Sequence, residues 1–487
     1  MTPDLLRRRN AQSAPLADVP LHDGPWFRRT IVDAVAQGAR IASLFAREYD
    51  GAVELLVVLA KDASGELGLA RTRLNEESFP SIAVDCPQAQ LFEREIAEQY
   101  GVQPTGHPWL KPVRAAAATT EFFRVEGDEV HEVAVGPVHA GVIEPGHFRF
   151  QCHGEHVFHL EIALGYQHRG IERALIGGPD KRTVHMIETA AGDSTIAHTL
   201  AYSQAVEALA AAKPPARAHA LRGIALELER LANHTGDLGA LSGDVAYLPT
   251  AAYCGRLRGD YLNLTAELCG SRFGRGLVRP GGVVFDLPPD RIGMLRKSLE
   301  EATRDAVDAV ALLWTTPSVM ERFENTGVVD SSVCEETGMV GVAARACGQG
   351  IDVRHDFPFG VFRFVHVPVM TAHHGDVNSR AFVRWLELQQ SAEFVGQQLH
   401  ALPATPVRTE VGSMQPNAIV ASLTEGWRGE VCHVAITDDA GRFARYKITD
   451  PSFHNWFGLA LALRGGEISD FPLCNKSFNL SYCGHDL

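Results

Sequence analysis

Two short stretches of this chain carry side chains that exchange protons. They are Asp193, Ser194 and His198 in one stretch, and Cys483, His485 and Asp486 in the other. Carboxylates and imidazoles suit a proton relay or a pocket for a small polar substrate. Asp193 and Ser194 suit the start of a helix equally well, with Ser194 as its N-cap. Both interpretations stay open at this point.

Cysteines and a histidine-rich segment raise the question of a metal site. None of the nine cysteines forms a CxxC pair, the spacing usual in iron–sulfur, zinc and nickel–iron sites. His153 and His159 share one strand parity, whereas His156 lies opposite them across a turn. We therefore expect reduced thiols in the interior, as is common for free cysteine, and solvated or core histidines rather than metal ligands.

Composition excludes several classes of function. The chain has 45 Lys and Arg against 59 Asp and Glu, a formal charge of −14. No basic run extends beyond residues 7–9, so nucleic-acid binding is not expected. The longest apolar stretch, residues 456–463, is less than half of the about 20 residues that a membrane helix needs. The first residues also lack the apolar core of a signal peptide, so we expect any membrane association to come through a partner.

The elements that would position these residues fall into two blocks. The first has a strand at 51–60 and a helix at 91–100 that ends at Gly101. The second opens with a predicted β-hairpin, 147–152 and 156–162, that turns at Gly154. Predicted helices then follow at 193–212, 216–236, 255–268, 289–315, 377–402 and 454–463. We expect an N-terminal extension at 1–25, a small domain at 26–114, a linker at 115–128 and a large domain at 129–487.

Familiar nucleotide and nucleophile motifs are missing. No GxGxxG or GxxxxGK[ST] loop opens a helix after a strand, and no GxSxG elbow occurs. Binding of nicotinamide, flavin or ATP through the usual loops is therefore not supported.

Long strings in both blocks resemble subunits of respiratory complex I. FEREIAEQYGVQPTGHP at 92–108 is similar to the signature of its 30-kDa-type subunit. The second block resembles the 49-kDa-type subunit and the large subunits of energy-converting [NiFe] hydrogenases. The strings are GPVH at 136–139, GYQHRGIER at 165–173, LELERLANH at 226–234, GVV at 327–329, GMVGVAARACG at 338–348, DVRHDFP at 352–358 and RYKITDPSF at 445–453. Fusion of both blocks is similar to the large subunit of formate hydrogenlyase-type complexes.

The resemblance implies a fold and a test for metal. The fold should be a small α+β domain joined to a large, mainly helical domain with a β-hairpin entrance. A [NiFe] hydrogenase needs four thiolates from two CxxC pairs, because soft sulfur holds these metals. Here the four ligand positions are occupied by Ala191, Ser194, Ser481 and Gly484, and Cys483 is out of register. We expect no NiFe centre and no other cofactor bound by this chain.

The quinone residues of complex I are matched only in part. His139 matches the headgroup histidine, Glu144 stands about where a second histidine of that loop would lie, and Gly192 stands at the tyrosine position. A quinone remains a candidate ligand without a full set of matching residues.

The resemblance also implies one pocket at the old metal position. Its candidate catalytic residues are Glu144, Asp193, Ser194, His198, Arg345 and His485, and its candidate substrate or quinone contacts are His139, Arg169, Glu172, Cys483 and Asp486. Arg169 and Glu172 could equally form an ordinary helical ion pair. A buried Arg345 should have a carboxylate or substrate partner.

The resemblance implies a peripheral-arm subunit of a membrane-bound, complex I-like oxidoreductase at the cytoplasmic face. Its expected partners are a small subunit with a [4Fe–4S] cluster and membrane ion-translocating subunits, with a ferredoxin-like subunit as a further candidate. Electron transfer would be coupled to ion movement without a NiFe centre. The open alternatives are a quinone-reducing subunit with an altered site and a non-catalytic scaffold. A true hydrogenase ranks last.

Overall fold

A computed structural model describes residues 4–114, 121–139 and 143–487. Residues 115–120 of the expected linker lie outside this part of the chain. All nine cysteines are free thiols, and all except the half-buried Cys269 are buried.

The N-terminal block contains a mainly antiparallel sheet, a short parallel pair of strands (β7 and β8) and two helices. Its strands are β1 (Leu6–Arg8), β2 (Ala14–Pro15), β3 (Leu21–His22), β4 (Arg40–Tyr49), β5 (Ala52–Lys61), β6 (Glu66–Arg73), β7 (Ser78–Pro80) and β8 (Gln103–Thr105), and its helices are α1 (Gly24–Ala36) and α2 (Gln90–Tyr100). The main sheet has the order β1-β6-β5-β4, with β3 also paired to β6.

Helix α2 confirms the helix predicted at 91–100. Phe92 and Ile96 face the core of this block, and Gly101 ends the helix with φ 71°, a left-handed conformation that glycine adopts without strain.

Residues 4–25 tie the two blocks together. Strand β1 joins the N-terminal sheet, whereas β2 pairs with a strand that begins at Ala418. The Asn10 amide also bonds to the backbone of Phe357 and Leu423 in the large block.

The large block is mainly helical. Its helices are α3 (Ile171–Ala174), α4 (Thr183–Glu188), α5 (Thr195–Leu209), α6 (Ala216–Asp244), α7 (Leu248–Cys269), α8 (Pro289–Trp314), α9 (Pro317–Phe323), α10 (Ser331–Thr337), α11 (Gly341–Ala346), α12 (Val353–Asp356), α13 (Val377–His400), α14 (Pro451–Ala462), α15 (Phe471–Phe478) and α16 (Tyr482–His485). Helix α6 packs against α7 and α13, and together with α8 they build the largest apolar core.

Helix α6 runs past the predicted end at Gly236. A Cβ at Gly236 would lie 2.7 Å from Arg258, and one at Gly239 would lie 2.7 Å from Cys254. These glycines therefore allow close approach of α7 rather than ending the helix.

Three sheets complete the large block. Its strands are β9 (Val130–Val135), β10 (His147–His153), β11 (His156–Ala163), β12 (Val278–Arg279), β13 (Gly282–Val283), β14 (Ala418–Gly426), β15 (Gly429–Thr437) and β16 (Phe443–Thr449). The predicted hairpin is confirmed as β10 and β11, extended by β9. The antiparallel sheet β16-β15-β14-β2 was not predicted, because β14 and β15 are buried along their whole length and show no alternation of apolar and polar residues. The predicted fold class is confirmed.

Candidate functional site

The start of helix α5 is capped from another helix. Ser194 stands at the predicted N-cap position, but its side chain makes no capping hydrogen bond. The Glu229 carboxylate instead accepts from the N–H groups of Ile196 (2.7 Å) and Ala197 (3.3 Å). Burial, opposed by these two bonds, raises the pKa of Glu229 to about 8. This carboxyl can therefore hold a proton near neutral pH.

A guanidinium lies beside Ser194, one of the four positions that the resemblance assigns to metal ligands. Arg428, from the turn between β14 and β15, donates to both oxygens of Asp193, at 2.6 and 2.8 Å. It lies 3.4 Å from Ser194 Oγ and over the ring of Trp427, 3.9 Å from its centroid. We call the polar cluster formed by Asp193, Ser194, Arg428, Asp450 and Gly484 the central pocket. Burial would raise the pKa of Asp193, but attraction to Arg428 outweighs it and lowers this pKa.

A line of hydrogen bonds leads from the central pocket into the core. His198 Nε2 lies 3.0 Å from Asp450 Oδ2, and His198 Nδ1 lies 3.0 Å from His433 Nε2. His433 Nδ1 lies 2.9 Å from the Tyr446 hydroxyl. All four side chains are buried, and we call them the histidine ladder.

The chemistry of the ladder fixes its resting hydrogen-bond direction. Burial lowers the pKa of His433 far below its usual value and raises that of Tyr446. Burial opposes ionisation of Asp450, but the hydrogen bond from His198 and the charge of Arg428 outweigh it and lower its pKa. An ionised Asp450 only accepts, so His198 donates to it, His433 donates to His198, and Tyr446 donates to His433.

The four expected ligand positions are buried and do not fit a NiFe centre. Ala191, Ser194 and Gly484 offer no sulfur, and the Ser481 hydroxyl accepts from the Gly484 N–H at 2.9 Å. Burial and the charge of Glu144 raise the pKa of Cys483, which favours its thiol over the thiolate. The donor set is that of a polar pocket.

Gly484 allows a direct test of this close packing. A Cβ there would lie 2.6 Å from the Asp450 carboxyl carbon, and Asp450 is held by His198 and by the Ser452 N–H. We expect Gly484→Ala to destabilise the fold by about 1–3 kcal/mol, measured by thermal unfolding. Gly396→Ala on α13, where a Cβ meets nothing within 4 Å, should be neutral or stabilising. Equal stability of the two variants would contradict this packing.

Several predicted residues hold backbone near the central pocket rather than lining it. Glu144 accepts from Gln167 Nε2 and from the Tyr482 N–H, both at 3.2 Å. His139 Nε2 bonds to the Gly146 carbonyl at 2.9 Å. Arg169 donates to the carbonyls of Thr189 (2.7 Å) and Ala190 (2.9 Å), directly before Ala191.

Arg169 and Glu172 do not form a pair. The Glu172 carboxylate is buried, 3.0 Å from Arg445 and 2.9 Å from Lys447 on β16. Lys447 also binds Glu95 of α2, at 2.7 and 2.8 Å, so this cluster joins the two blocks. Glu172 therefore acts in the interface between blocks.

Arg345 lies in a separate buried cluster. It binds Glu387 and Glu425, each at 2.8 Å, and is fully buried. The partner expected for a buried Arg345 is therefore supplied by two carboxylates, Glu387 and Glu425. The cluster connects α11 to α13 and β14 and has no bond to the central pocket.

His485 and Asp486 form a second pair near the end of the chain. His485 Nδ1 lies 2.9 Å from Asp486 Oδ1. Asp486 also accepts from the N–H groups of Gly165 and Gln167, each at 2.9 Å. His485 lines a cleft between the blocks.

Sequence analysis missed five residues of the central pocket, the histidine ladder and the cap of α5. They are Glu229, Arg428, His433, Tyr446 and Asp450. Three of them, Glu229, Tyr446 and Asp450, lie inside the strings that carry the resemblance. The resemblance did not assign a function to these three residues. Arg428 and His433 lie outside those strings.

Comparison with known proteins agrees with both halves of the architecture. Residues 32–120 match the family of the respiratory-chain NADH dehydrogenase 30 Kd subunit, and residues 244–419 match that of its 49 Kd subunit. Within the described residues, no helix combines the length and apolarity needed to cross a membrane.

The chain belongs to the family of complex I 49-kDa-type subunits and related hydrogenase subunits. It is 31% identical to the carbon monoxide-induced hydrogenase of Rhodospirillum rubrum, covering 72% of this chain and 97% of that protein. It is 30% identical to NADH-quinone oxidoreductase subunit 4 of Thermus thermophilus, over 70% and 90%.

Within this family the chain joins 30-kDa-type and 49-kDa-type blocks. Formate hydrogenlyase subunit 5 of Escherichia coli is 28% identical over 92% of this chain and 84% of its own length. A chain of the membrane-bound sulfane sulfur reductase, an archaeal respiratory membrane complex, shares the fold with a TM-score of 0.69 at 23% identity, over 74% of this chain and 99% of that chain. The predicted family is confirmed, and two of these relatives are named as subunits of larger enzymes, a formate hydrogenlyase and an NADH-quinone oxidoreductase.

Proposed function

We propose that this chain is a peripheral-arm subunit that couples electron transfer to ion translocation by taking up a proton in its central pocket, without a NiFe centre. It would dock at the cytoplasmic face beside a small subunit with a [4Fe–4S] cluster, with a ferredoxin-like subunit as a further candidate. Membrane subunits would move the ion. Family membership supports the setting, and the pocket's donor set supports the absence of nickel–iron chemistry.

One observation carries the proposal: a buried ladder of two histidines between Asp450 and Tyr446 begins at the position vacated by metal ligands. In its resting state every donor points toward Asp450. A proton added to His198 makes both of its ring nitrogens donors. His433 must then accept at Nε2 and carry its hydrogen on Nδ1, which donates to the Tyr446 oxygen. The Tyr446 hydrogen then has no acceptor among the described residues.

Two opposing free-energy effects on the added proton are of similar size. Leaving a buried hydroxyl donor unbonded costs about 1–3 kcal/mol, which disfavours the protonated state at rest. An electron at roughly 10–15 Å, at an effective dielectric constant of about 20, would favour the added proton by about 1–2 kcal/mol. Reduction of a neighbouring cluster would therefore draw a proton into the pocket, and oxidation would release it. Glu229, at the same end of α5, supplies a second carboxyl that holds a proton near neutrality.

The alternatives have less support from the side chains. His139 is engaged by the Gly146 carbonyl, and Gly192 offers no hydroxyl at the tyrosine position, so a quinone headgroup lacks its expected partners. A scaffold role leaves the ladder without a purpose, and hydrogen chemistry lacks its thiolates.

The test uses the purified intact complex. We expect nickel well below one atom per chain, and proton uptake upon electrochemical reduction, recorded with a pH-indicator dye in weak buffer. His198→Gln and Asp450→Asn should lower that uptake at least about fivefold. They should also lower turnover, screened with formate, quinones and viologens, at least about tenfold.

Controls separate this role from assembly. His219→Gln changes a half-buried histidine outside the ladder and should leave uptake and turnover unchanged. Subunit content of each variant is checked by gel filtration. Nickel near one per chain, or normal uptake and turnover in both ladder variants, would refute the proposal; the second result would favour a scaffold.

A further inference from the structure

A cleft lies between the two blocks, separate from the central pocket. Its cavity volume is about 560 Å³, within the range of about 300–1,000 Å³ typical of small-molecule sites. One wall comes from α2 and the segment after β8, and the other from β11 and α14. The lining is mostly apolar and includes the aromatic rings of Trp109, Trp456 and Phe457.

Two of the three Lys and Arg side chains in the lining are already engaged, and the third, Arg464, is exposed to solvent and has no ion pair among the described residues. Lys111 pairs with Glu161 at 2.6 Å and lies over the Trp109 ring, 4.6 Å from its centroid. Arg94 donates to the carbonyls of Lys111 (2.7 Å) and Pro112 (3.0 Å). The lining therefore favours a neutral, flat molecule that can stack on aromatic faces.

His485 brings a polar atom to the end of this cleft. The residue is only 4% exposed, and it lines the cavity with its ring against Phe453, 5.2 Å between centroids. Nδ1 is taken by Asp486, while Nε2 has no hydrogen-bond partner among the described residues. A nearly buried imidazole with one free nitrogen thus faces an apolar cavity.

Asp486 decides what that nitrogen can bind. Burial opposes its ionisation, but the hydrogen bond from His485 lowers the pKa of Asp486, and two backbone N–H groups add to this. With Asp486 as the acceptor, the neutral tautomer of His485 carries its hydrogen on Nδ1. Nε2 then offers a lone pair and prefers a hydroxyl donor to a carbonyl.

We propose that the interdomain cleft binds an aromatic alcohol, with its ring between the Trp109 and Trp456 walls and its hydroxyl donating to His485 Nε2. The site is independent of the central pocket and of the proposed coupling function. Because both blocks line it, an occupant would bridge them.

Two probes of nearly equal shape test the hydroxyl. 2-Naphthol donates a hydrogen bond, and 2-methoxynaphthalene does not; each is titrated into the purified complex and followed by fluorescence. We expect saturable binding of both, with 2-naphthol tighter by about five- to tenfold. His485→Phe keeps an aromatic ring beside Phe453 and should abolish that preference while changing 2-methoxynaphthalene affinity less than about twofold.

A second variant tests the cavity itself. Ala460, on the α14 wall, is replaced by Trp to fill the cleft, and both probes should then bind at least about tenfold more weakly. His400→Gln, at an exposed site outside the cleft, should bind as the unaltered complex does. The proposal is overturned if neither probe binds saturably, if His485→Phe keeps the preference for 2-naphthol, or if Ala460→Trp binds both probes normally.

Discussion

Replacing Glu387 with alanine should destabilise the large block by about 3–5 kcal/mol, the usual result of breaking a buried ion pair. Glu387 is fully buried on α13 and binds Arg345 (2.8 Å), Arg230 (3.3 Å) and His234 (2.9 Å). Burial opposes its ionisation, but Arg345, His234 and Arg230 hold its pKa well below the usual value. Alanine would leave two guanidinium groups short of a counter-charge inside the core.

The measurement is thermal unfolding of the chain, with a fall of the first midpoint on the order of 10 °C. Glu387→Gln keeps hydrogen-bond acceptors without the charge and should lose less stability. Glu393→Ala changes an exposed glutamate of the same helix and should stay within about 0.5 kcal/mol. A Glu387→Ala midpoint as high as that of Glu393→Ala would show that the cluster does not stabilise the core.

Acid should loosen the interface between the two blocks through Glu95. This carboxylate on α2 binds Lys447 at 2.7 Å and Arg114 at 2.5 Å, and all three groups are buried. Burial alone would raise its pKa, but Arg114 and Lys447 outweigh burial and lower it to about 2. The folded pKa lies below the unfolded value of about 4.3, so the contribution is present above pH 4–5. It is lost as pH falls toward 2.

This contribution is on the order of 3 kcal/mol. Urea midpoints measured from pH 6 down to pH 2.5 should therefore fall less steeply in Glu95→Gln than in the unaltered chain, and the variant should already be weaker at pH 6. Glu76→Gln, an exposed carboxylate of the same block, should keep the original pH dependence. Parallel pH profiles for Glu95→Gln and the unaltered chain would contradict this account.

Sequence patterns within a few residues were sufficient to predict helix α2 and the β10–β11 hairpin. Helix α2 has inward residues at helical spacing and a glycine at its end, and the β10–β11 hairpin has a glycine turn between alternating strands. The six helices predicted in the large block are found as α5, α6, α7, α8, α13 and α14, with ends shifted by up to eight residues, whereas the shorter helices were not predicted. Helix α6 passed its predicted end because Gly236 and Gly239 serve contact with α7, a tertiary requirement. The sheet of β14–β16 was missed because burial on both faces removes the alternating pattern.

Sequence alone determined the family and the donor atoms at the four metal-ligand positions. Whether a side chain offers sulfur to a metal depends only on the residue type. The alanine, serine and glycine residues at those positions therefore showed, without any structure, that the thiolate ligands are missing. Only the tertiary structure decided what occupies the space instead. Arg428 reaches Asp193 across 235 positions, and Asp450 reaches His198 across 252, distances over which local sequence patterns carry no information. The same holds for the interdomain cleft, whose walls come from two blocks joined by contacts distant in sequence, such as Glu95 with Lys447 on β16.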